Sequence, residues 1–495
     1  MQEIEYKKEI FQLRNEVSEL KALVNNVLAE NANLREENYQ LRIENASLKD
    51  EVKSLKSHLS LNSQTSSKPP SSDSFVKKTK SLREKSNKKA GGQKGHNGNT
   101  LKMISNPDKI EIHNLKTCNY CGNELSETKI LKMKKRQVFE LPKICLEVTE
   151  HQAEVKICSC CKKINQAEFP PTVSAPVQYG NRLKSFGLYL NNYQLLPYDR
   201  ISELLEQLLG VKFNVGSLFS ANKELYEKLE TTEELIKERI LKEKILNVDE
   251  TGFYVKDSRQ WLHLYSTDKL TYYHHHKKRG KEAMNDIGIL PNFKGRIIHD
   301  FWKSYFNFDC QHSLCNAHHL RELNFVIEHE QATWAKEMKE LLLEIKISVD
   351  NAKENYPNSL STHQLLNYEK KYEVILEKAL QFYPNNKTVT KKRGRKKQDK
   401  GKNLLDRLID YREETLSFMY NFDIPFDNNQ AERDVRMMKL KQKISGCFRT
   451  ELGSEIFCRI RSFISSVKKQ QLNILEQIYL ALNQTNFFPQ FLYAK

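Results

Sequence analysis

The sequence lacks any long apolar run. No uninterrupted apolar stretch reaches the roughly 18 residues that a membrane-spanning helix requires. The first ten residues, MQEIEYKKEI, also lack the apolar segment that a secretory signal contains. We therefore expect a cytoplasmic protein that has no membrane partner.

Acidic residues are scarce relative to basic ones. The 495 residues include 80 lysines and arginines against 63 aspartates and glutamates, which gives a formal net charge of +17. Such an excess favours a polyanionic partner, most often nucleic acid, with an acidic membrane surface as the less common alternative. The length predicts three or more domains.

Residues 1–61 contain a seven-residue repeat of apolar positions. The repeat combines β-branched residues at its first position with leucine at its fourth, which favours a parallel two-stranded coiled coil. Three consecutive asparagines at the first position weaken the seam but specify register and partner number. A single helix packed on its own domain is the alternative, and a repeat this long disfavours it. The first positions are Ile10, Val17, Val24, Asn31, Asn38, Asn45, Val52 and Leu59; the fourth are Leu13, Leu20, Val27, Leu34, Leu41, Leu48 and Leu55.

Serine, proline and lysine dominate residues 62–105, and few residues there can be buried. This composition predicts a disordered basic linker. The linker either lies along DNA phosphates or is a solvated tether, and the sequence favours neither interpretation.

Residues 106–175 contain two C-x2-C pairs, Cys118 with Cys121 and Cys158 with Cys161. Two such pairs are typical of one structural Zn²⁺ ion in tetrahedral geometry, so we predict a zinc-ribbon-like module. Cys160 is an alternative ligand within the second pair. Four unrelated buried cysteines would be the simpler explanation, and the paired spacing disfavours it.

Residues 176–240 are predicted to form one region of the chain, helical from Leu183 to about Leu225. PYDRISELLEQLLG has the apolar periodicity of an amphipathic helix, and Gly210 suits its C-terminal cap. A turn, VKFN, and a second helix, VGSLFSANKEL, follow. This order resembles a helix-turn-helix DNA-binding region, although any helical hairpin has the same pattern.

Two aspartates each follow an apolar strand, Asp249 in ILNVDE and Asp300 in RIIHD. A buried carboxylate is costly unless it has a partner, and two of them are well placed to share a divalent cation. Glu432, near the start of a basic helix, would add a third oxygen donor, and such a set suits Mg²⁺ or Mn²⁺. A turn or helix cap explains each aspartate more simply, and an ion pair with Arg436 explains Glu432 more simply.

The motifs NVDETG, HDFW, CNAHHLREL and NNQAERDVRMMK occur in this order and spacing in the insertion-sequence 66 family of bacterial transposases. The chain resembles this family over nearly its whole length after the coiled coil. GGQKGHNG, the paired C-x2-C module, NLLDRL and FISSVKKQQLNILEQIYLAL fit the same family. The resemblance implies an α/β ribonuclease-H-like (DDE) core with the catalytic triad Asp249, Asp300 and Glu432.

The resemblance also implies how the rest of the chain is divided. The core would occupy residues 241–310 and 404–470, with a helical insertion containing a basic loop at 311–403 and a C-terminal helical tail at 471–495. The implied activity is binding of double-stranded DNA at the ends of a mobile element, nicking by hydrolysis with two Mg²⁺ or Mn²⁺ ions, and joining of the 3′ ends to target DNA. A homodimer or larger assembly, accessory proteins of the same element and a nucleoid location are expected.

We expect DNA contacts from three places: the helix after Glu432, the basic run KKRGRKK and the segment CNAHHLREL. The basic run either enters an A·T-rich minor groove or contacts phosphates. Asn428 and Asn429 either cap the helix or touch DNA. The candidate DNA-binding residues are Arg433, Arg436, Lys439, Lys443, Arg393, Arg395, His318 and Arg321.

Cys315 and His318 resemble the C-x2-H pair that follows the second aspartate in many transposases of ribonuclease-H type. They are expected to brace the core or to touch DNA. A metal ion there is disfavoured because only two ligands are local, although His312 is a further candidate. The triplet His274–His276 is predicted to lie at a strand end.

Two other functions fit parts of the sequence. A dimeric zinc-containing DNA-binding regulator without catalytic activity would explain the N-terminal half but would not need a converging acidic triad. His318 and Arg321 also have the H-x-x-R spacing of tyrosine recombinases. That class requires an upstream arginine and a downstream nucleophilic tyrosine in matching contexts, and neither is evident.

Overall fold

The computed structural model describes residues 2–59, 101–353, 358–383, 398–484, 487 and 489. Most of the predicted linker, residues 62–100, lies outside these ranges, as do Arg393 and Arg395. The chain divides into two compact units. The first comprises Met1–Lys80, Ile236–Phe253 and Arg259–Met437, and the second comprises Ser81–Leu235, Tyr254–Ser258 and Met438–Lys495.

Helices dominate the described residues, and the strands form two sheets. The helices are α1 (Gln2–Leu59), α2 (Asn181–Leu188), α3 (Tyr198–Leu209), α4 (Val215–Lys228), α5 (Glu230–Leu241), α6 (Lys281–Ile287), α7 (Asn316–Glu330), α8 (Thr333–Ala352), α9 (Thr362–Phe382), α10 (Lys400–Asp410), α11 (Arg412–Tyr420), α12 (Asn429–Ser445), α13 (Glu451–Lys469) and α14 (Ile474–Asn483). The strands are β1 (Val155–Ile157), β2 (Ile164–Gln166), β3 (Ile245–Val255), β4 (Ser258–Ser266), β5 (Thr271–His276), β6 (Arg296–His299) and β7 (Gln311–Leu314).

Helix α1 confirms the helical prediction for the N-terminal segment. Its apolar repeat positions between Ile10 and Val52 are exposed in the single chain, as at Leu20 and Leu34. The asparagines of the repeat bond their own helix; the Asn31 side chain, for example, donates to the Val27 carbonyl at 3.0 Å. Pairing with a second copy therefore stays a prediction. None of the helices in the described ranges is long and apolar enough to span a bilayer.

The larger sheet is mixed and has the strand order β5-β4-β3-β6-β7. β4 and β5 are antiparallel, whereas β3, β6 and β7 form a parallel run. In the register of the central pair, Asn247 lies opposite Ile298. This multidomain α/β architecture with a mixed sheet agrees with the sequence prediction at that level.

This region contains two local elements that the sequence analysis did not predict. The residues after β6 form a short 3₁₀ turn at Tyr305–Asn307. The backbone N–H of Trp302 donates to the Asp300 carboxylate at 3.0 Å, which favours a turn at this point. Strand β7 was not expected, because its four residues, QHSL, have no apolar alternation and their pairing with β6 sets their structure.

Helices α7 to α11 pack around one hydrophobic core in the first unit. Trp334, Tyr372 and Phe418 are among its largest fully or almost fully buried side chains. Their apolar faces recur at helical spacing, which explains why the sequence indicated a mostly helical stretch here. These five helices make up most of the chain between β7 and α12.

The second unit contains the helical hairpin that the sequence predicted. α3 ends at Gly210, whose φ of 69° is left-handed and suits glycine. The Asn214 side chain caps α4 by accepting from the Gly216 N–H at 2.8 Å. Ile201 and Phe213 are buried in the hairpin core. The helices are confirmed, and their binding to DNA stays a prediction.

Candidate active site

The two aspartates lie side by side on neighbouring parallel strands of the larger sheet. Asp300 directly follows β6, as the sequence predicted. Asp249 was expected to follow its strand as well, but it lies within β3, which continues to Val255 because its second half, TGFYV, extends the same strand.

β3 and β6 run parallel with Asn247 opposite Ile298, and the same register continued by two residues places Asp249 next to Asp300. Each carboxylate accepts a local backbone hydrogen bond, Asp249 from the Glu250 N–H at 2.8 Å and Asp300 from the Trp302 N–H at 3.0 Å. The parallel pairing therefore brings together two acids that are 51 residues apart in the chain.

A buried asparagine fastens the start of α12 to β3. Asn428 is 2% exposed. Its side-chain oxygen accepts from the Asn247 amide at 2.7 Å, and its side-chain N–H donates to the Val248 carbonyl at 2.8 Å. Its backbone N–H donates to Cys315 Sγ at 3.1 Å, and its carbonyl accepts from the Glu432 N–H at 3.1 Å. Asn428 thus fixes Glu432 near β3, one helical turn beyond the fastening point.

The acids influence one another electrostatically. Burial raises the pKa of Asp249 well above its ordinary value, and the negative charges of Glu250, Asp300 and Glu432 raise it further. Glu432 is thus close enough for its negative charge to act on Asp249. A cluster of this kind is stabilised by a cation.

The pKa of Asp249, raised by burial and by the neighbouring negative charges, predicts a pH-dependent stability difference for Asp249→Asn. An unfolded aspartate ionises at about pH 3.9, and each unit by which folding raises its pKa costs about 1.4 kcal/mol once the carboxyl is ionised in both states. The penalty is absent in acid, where both states are protonated, and it grows as the pH rises toward the folded-state pKa. We therefore expect the substitution to raise the unfolding temperature at pH 7 without divalent cations and to have little effect near pH 3.

Differential scanning calorimetry at the two pH values measures this effect. Asp423→Asn, at an exposed position of the same unit, is the matched control. An equal change for both variants at pH 7 would contradict a raised pKa at Asp249.

The sequence left two interpretations of Glu432 open, an ion pair with Arg436 and a third oxygen donor beside the aspartates, and the structure is compatible with both. Arg436, one turn further along α12, donates to it at 3.2 Å, so the surface ion pair is present. Arg321 Nη2 also approaches both carboxylate oxygens at 3.2 and 3.3 Å, and His318 Nδ1 lies 3.9 Å away. The Glu432 side chain is only 13% exposed, which is unusual for a simple surface pair.

A second acid beside Asp249 was missed from the sequence. The Glu250 side chain is 2% exposed and accepts from Arg279 Nη2 at 2.6 Å and from the Tyr305 hydroxyl. The Arg279 guanidinium lies over the rings of Trp302 and Trp261, 4.3 and 4.9 Å from their centres. Burial raises the pKa of Glu250, with Asp300 adding to the shift. The one sequence signal was the adjacency of Glu250 to Asp249, since Arg279 is 29 residues away.

Cys315 and His318 lie against Glu432. In the described part of the chain, these three residues form the one group of at least three His, Cys, Asp or Glu side chains whose ligand atoms all lie within 4.8 Å of one another. His312, the extra ligand considered from the sequence, instead bonds the ring of His299 through Nδ1 at 3.0 Å. The third member of the cluster is therefore Glu432.

The two C-x2-C pairs form matching turns in the second unit. In each, the N–H of the first cysteine donates to the carbonyl five residues on, at 2.8 Å for Cys118 and 2.9 Å for Cys158. In each, its carbonyl also accepts at 3.0 Å from the residue four positions on, which is Gly122 or Lys162. Both of these residues have left-handed φ angles, 74° and 57°. This equivalence matches Cys161, rather than its neighbour in the chain, to the second cysteine of the first pair.

The first cysteine of each turn is prepared for ionisation. Hydrogen bonds from the backbone N–H groups of Tyr120 and Cys121 lower the pKa of Cys118. Hydrogen bonds from the backbone N–H groups of Cys161 and Cys160 lower the pKa of Cys158. This environment fits thiolate ligands. Three of the sulfur atoms do not come within 4.8 Å of one another in the described residues, so the joint zinc site stays a prediction. The regular strands here are short, since β1 and β2 have three residues each.

The candidate DNA-binding residues of α12 are solvent exposed. Arg436, Lys439 and Lys443 follow Glu432 at spacings of four, three and four, so they share one face of the helix. Arg433 is also exposed, and its Nη2 donates to the Gln430 side chain at 2.9 Å. His318 and Arg321 are mostly buried beside Glu432, with side chains 15% and 16% exposed. Their contact with DNA stays a prediction, as does that of Arg393 and Arg395 outside the described residues.

Comparison with known proteins gives one strong match and several weak or uninformative ones. No curated protein matches the chain. One similar solved structure is the simian T-cell lymphotropic virus intasome in complex with PP2A regulatory subunit B56 gamma, at 13% identity and a TM-score of 0.13, too low to support an inference. That match covers 31% of this chain and 60% of the other. A family of unknown function, DUF6444, matches residues 11–102.

The strong match lies where the candidate site is. The model of the Transposase IS66 family matches residues 176–456, which is more than half of the chain and includes Asp249, Asp300 and Glu432. The chain belongs to the transposase IS66 family.

Proposed function

We propose that this transposase binds the ends of an insertion element, nicks them by metal-dependent phosphodiester hydrolysis and joins the freed 3′ ends to target DNA. The observation that supports this most is the convergence of three carboxylates from distant parts of the chain. The register of β3 and β6 places Asp249 beside Asp300. Asn428 fastens the helix of Glu432 to the same strand.

The residues present fit the implied cations. Carboxylate oxygens are the ligands that Mg²⁺ and Mn²⁺ prefer. Burial and the neighbouring negative charges raise the pKa of Asp249, and a bound cation would offset both effects. Bound by Asp249, Asp300 and Glu432, two such ions would activate a water molecule or 3′ hydroxyl and stabilise the leaving oxygen. The protein itself positions the acids, and no serine or tyrosine nucleophile is required.

The sheet supports assignment to the ribonuclease-H-like, DDE class. Numbered along the chain within the sheet, its strands have the order 3-2-1-4-5, with Asp249 on the first strand and Asp300 directly after the fourth. The helices α7 to α11 intervene between Asp300 and Glu432, which agrees with a helical insertion in the core. The basic face of α12, formed by Arg436, Lys439 and Lys443, would contact the phosphates flanking the cut.

The N-terminal half would mediate oligomerisation and recognition of the element end. The exposed heptad positions of α1 support a homodimer or larger assembly. Sedimentation equilibrium of the full chain tests this prediction, and a monomer at micromolar concentration would contradict it.

The matching cysteine turns support one structural Zn²⁺ on Cys118, Cys121, Cys158 and Cys161. The α3–α4 hairpin is the proposed reader of the element end, and accessory proteins of the element are proposed partners.

The deciding experiment maps strand cleavage on a labelled element end. With purified protein and Mg²⁺, we expect a nick at one nucleotide position that leaves a free 3′ hydroxyl, and no nick in the presence of a chelator. Sequence-specific binding without cleavage would instead support the non-catalytic regulator. A protein–DNA covalent adduct would support the tyrosine-recombinase alternative.

A further inference from the structure

We propose that Cys315, His318 and Glu432 form a further metal site, selective for a thiophilic divalent cation such as Zn²⁺. Their ligand atoms already lie within 4.8 Å of one another. A set with one sulfur, one imidazole nitrogen and one carboxylate oxygen suits Zn²⁺ and is poorly matched to Mg²⁺. Three protein ligands leave a fourth position open for water.

Two of the ligands are placed rigidly. Cys315 immediately precedes α7 and is buried, and His318 lies in the first turn of that helix, where its N–H donates to the Cys315 carbonyl at 3.1 Å. The Cys315 sulfur also accepts the backbone N–H of Asn428 at 3.1 Å. Because Asn428 also sets the position of Glu432, all three ligands are fixed around one anchoring residue.

A buried ring nitrogen of His318 that lacks a hydrogen-bond partner in the described part of the chain supports the presence of a metal site. His318 Nδ1 is buried and has no hydrogen-bond partner among the described residues, and it lies 3.9 Å from Glu432 Oε1. Buried polar atoms without partners are uncommon, and each needs an explanation. A metal ion bound to Nδ1, Oε1 and the Cys315 sulfur would satisfy this atom after small side-chain rotations.

Arg321 contacts two of the proposed ligands and therefore competes with a metal ion for them. Its Nη1 lies 3.3 Å from His318 Nε2, and its Nη2 contacts both oxygens of Glu432. A guanidinium can only donate, so Nε2 accepts and the ring proton resides on Nδ1. Coordination through Nδ1 requires the proton to move to Nε2, which breaks the contact with Arg321. The arginine therefore opposes metal binding, and its removal should strengthen it.

Occupancy of this site has a consequence that rests on the proposed function. Glu432 would be shared by the two metal sites, and a zinc ion bound with Cys315 and His318 would withdraw it from Asp249 and Asp300. Zn²⁺ should then inhibit Mg²⁺-dependent cleavage, because the same carboxylate cannot complete both sites.

The binding claim is tested on the full-length chain, without DNA or Mg²⁺, by titrating metal-depleted protein with Co²⁺ and recording thiolate-to-cobalt absorption. The cysteine turns of the second unit contribute to the signal, so the difference between variants is the measurement. Cys315→Ser and His318→Gln should each lose about one equivalent of bound Co²⁺ relative to the unsubstituted chain. Cys447→Ser, at an exposed cysteine, is the matched control and should lose none.

Arg321→Gln supplies a test that loss of folding cannot mimic, because it predicts a gain. We expect this variant to bind Co²⁺ and Zn²⁺ roughly tenfold more tightly at the new site, which corresponds to about 1.4 kcal/mol. Equal cobalt stoichiometry in the unsubstituted chain, Cys315→Ser and His318→Gln would overturn the site. Unchanged affinity in Arg321→Gln would also overturn it. Because no DNA is present, these outcomes are independent of whether cleavage itself is observed.

Discussion

Alanine at Asp249, Asp300 or Glu432 should each abolish strand cleavage and leave binding to the element end nearly unchanged. The three carboxylates act as one unit, so removal of any one should reduce the cleavage rate by roughly a thousandfold or more. Binding depends mainly on phosphate contacts by basic residues and is not expected to need the acids. Cleavage of a labelled end and gel-shift affinity, measured on the same preparations, separate the two effects.

Two further variants sharpen this test. Asp423→Ala removes an exposed acid from the same unit and should retain full cleavage. Lys443→Glu, at an exposed position of α12, should produce the opposite phenotype, with weaker binding that falls further as salt is added and normal cleavage at saturating protein. The assigned chemistry would be wrong if cleavage survived in all three acid variants.

Local patterns allowed much of the fold to be predicted. The α3–α4 hairpin was evident because apolar periodicity and Gly210 act within a single helix and its cap. Strands β3 and β6 were evident from the short apolar runs before Asp249 and Asp300, although β3 continues beyond Asp249 to Val255. Strand β7 was missed because its structure depends on pairing with β6 rather than on its own residues.

The parts of the site that were missed depend on distant contacts. Glu250 and Arg279 are joined by a hydrogen-bonded ion pair across 29 residues, and nothing in either segment indicates the other. Likewise, Glu432 completes a cluster with Cys315 and His318 across more than one hundred residues. Spacing rules for metal ligands detect neighbours in the chain, so the cluster was judged to have too few ligands.

Asn428→Ala should destabilise the fold and reduce cleavage, although Asn428 is not a candidate metal ligand. The substitution leaves the Asn247 amide and the Val248 carbonyl without their partners. Each unsatisfied buried group costs about 1–3 kcal/mol, so with two such groups we expect the free energy of unfolding to fall by roughly 2–6 kcal/mol. Chemical denaturation measures this loss, and cleavage is compared at a temperature at which the variant remains folded.

The comparison with Asn429→Ala distinguishes the two roles that the sequence allowed for these asparagines. Asn429 is exposed at the start of α12, so its substitution should change stability little. If Asn428 were instead a DNA contact, its alanine variant would weaken end binding and leave unfolding unchanged. We expect the reverse because Asn428 is already buried and hydrogen-bonded without DNA. Equal stability losses in the two variants would contradict its role in fastening Glu432 to the sheet.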